Sequence, residues 1–243
     1  MNIEVMIDKL QDLKLFGMAE DLGRQMANPT MVELPFEERM QSMIDHECTF
    51  RDNRRLRTLL KKAKLPVAAS VEDIDYRHAR GLDKSVMLTL TKLKWMDLRT
   101  NIVLTGPTGT GKSWLSCALG NQACRFGRTT HFIRVPLLLQ DMAGARAMGI
   151  FRKHLDQLLK FELLILDDWG LEPFVGHASN DILELIEGRS GTRSTIITSQ
   201  LPMEKWHSAI ENKAIADAVM DRLVHSSTHV KLSGESMRSP RKK

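Results

Sequence analysis

Gly106-Pro107-Thr108-Gly109-Thr110-Gly111-Lys112-Ser113 fits the pattern G-x-x-x-x-G-K-[ST]. It follows the apolar run NIVLT and precedes the helix-like run SWLSCALGNQA, the strand–loop–helix setting in which this pattern cradles phosphates. Successive backbone N–H groups curl around phosphate oxygens there, and glycine tolerates the dihedrals and close approach that this needs. The N-terminus of the following helix adds its positive end, and the phosphate-binding run extends to Trp114. Lys112 is placed to reach β- and γ-phosphates, and the Ser113 hydroxyl to bind Mg²⁺. Four apolar residues and two carboxylates, Leu163-Leu164-Ile165-Leu166-Asp167-Asp168, form the second element. A carboxylate ending a buried parallel strand lies at the sheet edge where ligands bind. Asp167 then holds Mg²⁺ and Asp168 polarises an attacking water.

Two further segments belong near this chemistry. Ser194 to Gln200, STIITSQ, reads as a strand that brings Thr198 or Ser199 near a γ-phosphate, or as a plain strand and turn before Pro202. Arg222, near a helix end, either complements the helix dipole or serves a neighbouring subunit's nucleotide as an arginine finger. Cys117 and Cys124, seven apart on the helix after the loop, read as packing residues. His46-Glu47-Cys48 lacks partners at metal-ligand spacing and reads as surface helix.

The elements that must position these residues follow from periodicity. Ile3, Met6, Ile7, Leu10 and Leu13 recur at helical spacing, with Gly17 expected to end that helix. Leu22 and Met26 continue the pattern to Asn28-Pro29, and a long helix is expected from Pro35 to Lys64, stopped by Leu65-Pro66. Residues 66–100 form a transition with helix capacity around 83–98. Strand-like runs then alternate with helices: 101–105, 129–135, 162–167, 194–199 and 228–232, with helical stretches at 111–126, 137–160, 178–189 and 203–225. That alternation predicts an α/β domain, a parallel sheet wrapped on both faces, over 67–243, preceded by a helical domain over 1–66. The tail from Ser233 is expected to be mobile.

Composition narrows the function classes. At 5% aromatic residues and with one tyrosine, Tyr76, surfaces built for carbohydrate stacking are not expected. The apolar runs are far shorter than the roughly 20 residues of a membrane span, and Glu4 and Asp8 stand where a secretory leader carries positive charge. The three scattered cysteines support neither a disulfide framework nor a zinc cage, so the cytoplasm is the expected compartment. Charge is blocked along the chain. Residues 1–50 carry ten acidic against four basic side chains, and 51–64 seven basic against one acidic. With a basic tail from residue 231, five basic against one acidic, this patterning points to a polyanion partner. Arg51, Arg54, Arg55, Arg57, Lys61 and Lys62, together with Arg146, Arg152 and Lys153, are the candidate contacts to DNA.

The stretches GPTGTGKSWLSCALG, HFIRVPLLLQDM, LLILDDWGLEP, STIITSQLPMEKWH and DRLVHSSTHVKLSGESMR resemble the IstB proteins, helper ATPases encoded beside the transposase of certain bacterial insertion sequences. The resemblance covers nearly the whole chain. It implies an AAA+ ATPase of the initiator and helicase-loader clade, with strand order 5-1-4-3-2 and subunits assembled head to tail. It also implies Walker A roles for Lys112 and Ser113, a Walker B role for Asp167, sensor 1 at Thr198 or Ser199, and a trans-acting finger at Arg222. Where the wider clade has Glu after the Walker B aspartate, this chain has Asp168, one methylene shorter. Too few residues follow STIITS for a separate helical lid, and Arg238 is the candidate for sensor 2. The expected function is ATP-dependent assembly on double-stranded DNA, with ATP and Mg²⁺ as ligands, that recruits and stimulates the cognate transposase. Its rivals are a replicative helicase loader of the DnaC type and a metabolic P-loop kinase, and the kinase would need a substrate lid and acceptor base that the sequence lacks.

Overall fold

The computed structural model describes residues 2–224 and 227–237. The chain forms two compact units, 1–58 and 59–243, that divide inside one long helix. In the first unit, α1 (Ile3–Asp12) and α2 (Phe16–Ala27) are followed by the short α3 (Pro29–Val32) and by the start of α4 (Phe36–Ala63). Side chains of Asn2 and Asn28 cap α1 and α3, accepting from the N–H of Glu4 and of Thr30. Gly17 does not end a helix but lies in the first turn of α2, because a Cβ there would sit 2.7 Å from Glu47 Cα on α4. Glu47 is buried rather than part of a surface face, and its carboxylate accepts from the N–H of Gly17 at 2.7 Å and of Met18 at 3.1 Å. The orphan amides that open α2 thus find their acceptor on α4.

The second unit begins with the last turn of α4, which stops before Leu65-Pro66 as the sequence predicts. α5 (Lys84–Leu90) and α6 (Lys94–Asp97) divide the expected 83–98 helix at Leu93, whose φ is 58°. Then come β1 (Asn101–Thr105), α7 (Lys112–Arg125) and β2 (Thr130–Arg134). The expected 137–160 helix is two, α8 (Val135–Ala147) and α9 (Phe151–Lys160), separated at Gly149 with φ 70°. β3 (Leu163–Asp167), α10 (His177–Arg189) and β4 (Ser194–Ser199) follow. The 203–225 segment is helical only in its second half, α11 (Lys213–Val224), after two 3-10 turns, and β5 (Ser227–Lys231) closes the sheet.

All five strands are parallel in the order β2-β3-β4-β1-β5, the expected order read from the other edge. Side-chain alternation splits the core in two. Ile102, Leu104, Leu163, Ile165 and Ile196 pack with Leu115 and Leu119 of α7 and with Met87 and Trp95. Val103, Leu164, Leu166 and Ile197 pack on the other face with residues of α8 to α11, including Leu138, Leu155, Leu185 and Leu223. Each such fully buried aliphatic side chain contributes about 1.5–3 kcal/mol. Cys117 and Cys124 are buried, as their spacing predicts. The expectation of a mobile chain from Ser233 is overturned for 233–237. Leu232 N donates to Thr105 O at 2.7 Å, Ser233 N to Arg80 O at 2.9 Å and Met237 N to Gly109 O at 3.0 Å. Among the described residues no helix is long and apolar enough to cross a membrane.

Candidate active site

A cavity of about 660 Å³ opens at the carboxyl edge of the sheet, where β1, β3 and β4 end. That edge is where parallel α/β sheets bind ligands. Thr108, Gly109, Gly111, Lys112, Ser113 and Trp114 line its phosphate-loop side. The loop leaves β1 at Gly106 and Pro107 and turns at Gly109 and Gly111, whose φ values of 86° and 91° suit glycine. Thr110 is fully buried, and its hydroxyl donates to Pro107 O at 2.9 Å, closing the loop on itself. Thr108 Oγ1 donates to Gln200 Oε1 at 2.7 Å, tying the loop tip to the turn after β4. Lys112, in the first turn of α7, curls back so that Nζ donates to Gly106 O at 2.7 Å and Pro107 O at 2.8 Å.

Asp167, 5% exposed, ends β3 beside this loop. Ser113 Oγ donates to its Oδ1 at 2.7 Å, and Thr198 Oγ1 donates to the same oxygen. Burial pushes the Asp167 carboxyl above its ordinary range and Asp168 adds to that, against the two hydroxyl bonds and the Arg134 charge. Asp168 takes a φ of 61°, a conformation that aspartate tolerates better than most residues, and its carboxylate meets Arg134 Nε at 2.9 Å. Both carboxylates line the cavity.

Of the two hydroxyls left open by the sequence, only Thr198 reaches this group. Ser199 alternates to the other side, is fully buried and donates to Trp169 O at 2.6 Å. Arg222 is not among the cavity-lining residues, and its guanidinium pairs with Glu187 at 2.7 Å and donates to Ala218 O at 2.8 Å. Arg238 lies outside the described residues. Arg134, Arg80 and Gln200 line the cavity though sequence reasoning assigned none of them a role there; they are brought there by strand ends and by the chain before β1.

The candidate DNA contacts have varied surroundings. In the first unit, Arg51 pairs with Glu47 at 2.6 Å and Arg54 lies over the Phe16 ring, while Arg55 and Arg57 are exposed. In the second, Lys61, Lys62 and Lys153 are exposed, and Arg152 pairs with Asp156 at 3.3 Å. Arg146 is held by Asp181 and stacks on Phe151 at 4.2 Å, which leaves it the least available of the set.

The family described as IstB-like ATP binding protein matches residues 8–243. An insertion sequence ATP-binding protein of Sinorhizobium fredii is 44% identical over 232 residues, spanning 96% of this chain and 95% of the relative. Among solved structures, DnaI superposes with a TM-score of 0.59 at 20% identity, over 72% of this chain and 93% of that one. The DnaC helicase loader gives 0.55 at 18% identity, over 68% and 96%. These two likenesses are of fold: the chain shares the fold of DnaI and of the DnaC helicase loader over about two thirds of its length or more. With a match from residue 8 to residue 243, the chain belongs to the IstB-like ATP binding protein family.

Proposed function

We propose that the chain is an ATP-hydrolysing, DNA-binding helper of transposition. In this reading an ATPase domain over 67–243 and a helical domain over 1–66 assemble head to tail on duplex DNA in the bacterial cytoplasm and recruit the cognate transposase. One observation carries it: Ser113 and Thr198 converge on one oxygen of Asp167, beside a phosphate loop, in a chain whose relatives are named for insertion sequences. The donors available at that point are all oxygens, which suits magnesium, an ion that needs only one or two protein carboxylates when phosphates supply the rest. Ser113 and Asp167 would hold it, and when bound it neutralises charge on the β- and γ-phosphates. Lys112 exchanges Gly106 O and Pro107 O for phosphate oxygens. Thr198 fixes the Asp167 carboxylate, and Asp168 orients the attacking water and takes its proton. Arg222 would complete the neighbouring subunit's site.

Titration of labelled duplex at several salt concentrations, with and without ATP, tests the reading. Binding should need ATP, be cooperative and weaken steeply with salt, since each subunit brings its own basic side chains to the phosphates at high effective concentration. Replacing Arg54, Arg55, Lys61 and Lys62 by Ala should reduce the logarithmic salt slope by about 0.9 for each phosphate left without its cation. Duplex binding that ignores ATP, with ATP turnover that ignores duplex, would overturn it.

A further inference from the structure

Arg80 belongs to no motif, yet it is 2% exposed and lines the same cavity as Lys112 and Asp167. Its Nη1 donates to Thr110 O at 3.0 Å, its Nη2 donates to Asp75 O at 3.2 Å, and Met237 Sδ lies 3.1 Å from Nη1. A Cβ on Gly111 would come within 2.5 Å of Nη1, so the guanidinium sits directly against the turn that starts α7. Its Nε is buried with no partner among the described residues, and the side chain makes no ion pair there. Its hydrogen-bond partners are carbonyl oxygens and a thioether, and the Asp75 carboxylate acts on it only through space. Burying a cation without a counter-charge costs several kcal/mol, a cost that proteins usually relieve with a paired anion. Burial accordingly draws the Arg80 guanidinium below its ordinary pKa while leaving it charged at neutral pH, with Asp75 and Tyr76 opposing the shift through space.

The charge that would answer Arg80 comes from the ligand of the cavity. We infer that Arg80 is a positioning residue for the nucleotide: its fork holds the Thr110–Gly111 turn, and its buried charge, which meets no direct ion pair among the described residues, is balanced by the phosphates of a nucleoside di- or triphosphate bound on that turn. This rests on the nucleotide-site reading given above. Arg80 acts through the loop and through its field, since its Nε is shielded from the cavity. The same side chain contacts Met237, whose N–H is bonded to Gly109 O, so the 233–237 segment is braced against the loop that Arg80 supports.

The experiment compares the full chain with Arg80→Gln, Arg80→Lys and Lys112→Ala, measuring dissociation constants for ATP, ADP and AMP by calorimetry and melting without nucleotide. Arg80→Gln should weaken ATP by about tenfold, or about 1.4 kcal/mol, with a smaller loss for ADP and the least for AMP. Arg80→Lys, which keeps the charge but not the fork, should recover most of that loss. A purely structural arginine would lower the melting temperature and weaken all three nucleotides alike, with Lys no better than Gln, and that result overturns the inference. If Arg80→Gln fails to fold, the Nε resonance of Arg80 in the unmodified protein, assigned by its absence in Arg80→Lys, decides. It should move on adding ADP, and a stationary resonance overturns the inference. Undiminished ATP affinity in Lys112→Ala would instead overturn the nucleotide-site reading itself.

Discussion

Arg134 Nε donates to Asp168 Oδ2 across 2.9 Å, joining the last residue of β2 to the residue after β3. The Arg134 side chain is 57% exposed and that of Asp168 20%. A pair this open is worth about 0–1 kcal/mol, so it restrains the carboxylate without locking it. If Asp168 orients the water, Asp168→Asn should leave ATP affinity within twofold and cut turnover by about 10²-fold or more. Arg134→Ala should free the carboxylate and raise basal turnover by at most about fivefold, the rate equivalent of 1 kcal/mol. Steady-state hydrolysis beside nucleotide titration reads both. Unchanged turnover in Asp168→Asn would mean that another residue positions the water.

Thr198 and Ser199 are adjacent hydroxyls with opposite fates. Thr198→Val keeps the branched shape but removes a bond to a buried carboxylate, so turnover should fall while the melting point drops by a few degrees. That loss corresponds to about 1–3 kcal/mol. Ser199→Ala removes bonds to Trp169 O and from Leu201 N, so it should cost similar stability and leave turnover near the wild-type value. Equal loss of turnover in both would show that β4 acts only as scaffold.

Glu47 makes stability depend on pH in the first unit. Burial pushes its carboxyl up, but the Arg51 bond and the amides of Gly17 and Met18 outweigh that and leave it below its ordinary value. A depressed carboxylate stabilises the fold above its unfolded pKa, about 4.3, and the contribution is lost as pH falls through the lower folded value. Glu47→Ala should therefore speed hydrogen exchange of the Gly17 and Met18 amides by about tenfold at neutral pH, where an unpaired amide costs about 1–3 kcal/mol. The difference from wild type should shrink below about pH 4. A difference independent of pH would assign the effect to packing alone.

The phosphate loop and the Asp167 strand were legible because each depends on local pattern, whereas the sheet order came only with the family resemblance. The loop needs glycines at fixed spacing, and central strands need unbroken apolar runs. What stayed hidden depends on phase or on distant contact. Both residues at the end of β4 carry hydroxyls, so composition could not say which faces Asp167. The 137–160 periodicity runs through Gly149, and only its φ of 70° marks the break between α8 and α9. Arg80 and Arg134 gain their setting from Thr110 and Asp168, 30 and 34 residues away along the chain. Gly17 looked like a helix stop because its actual reason, the closeness of Glu47, is tertiary.

Arg222 offers the sharpest test of assembly. Its bond to Glu187 joins side chains that are 32% and 45% exposed, so releasing it costs about 1 kcal/mol at most. It does not line the cavity of its own chain, which suits an arginine that serves a neighbour. A finger acts on charge that develops in the transition state, so Arg222→Ala should bind ATP normally and lose about 10³-fold in turnover. Mixing separates the neighbour's site from its own. Lys112→Ala protein has a dead loop but an intact Arg222, and Arg222→Ala protein has the reverse. In head-to-tail assemblies each heterologous contact pairs one subunit's loop with the next subunit's arginine. An equimolar random mixture of the two inactive proteins should thus rebuild about a quarter of the sites, and turnover should rise towards that fraction of wild type. Activity that stays absent at every ratio would place Arg222 within its own subunit, where it bonds Glu187 and Ala218 O.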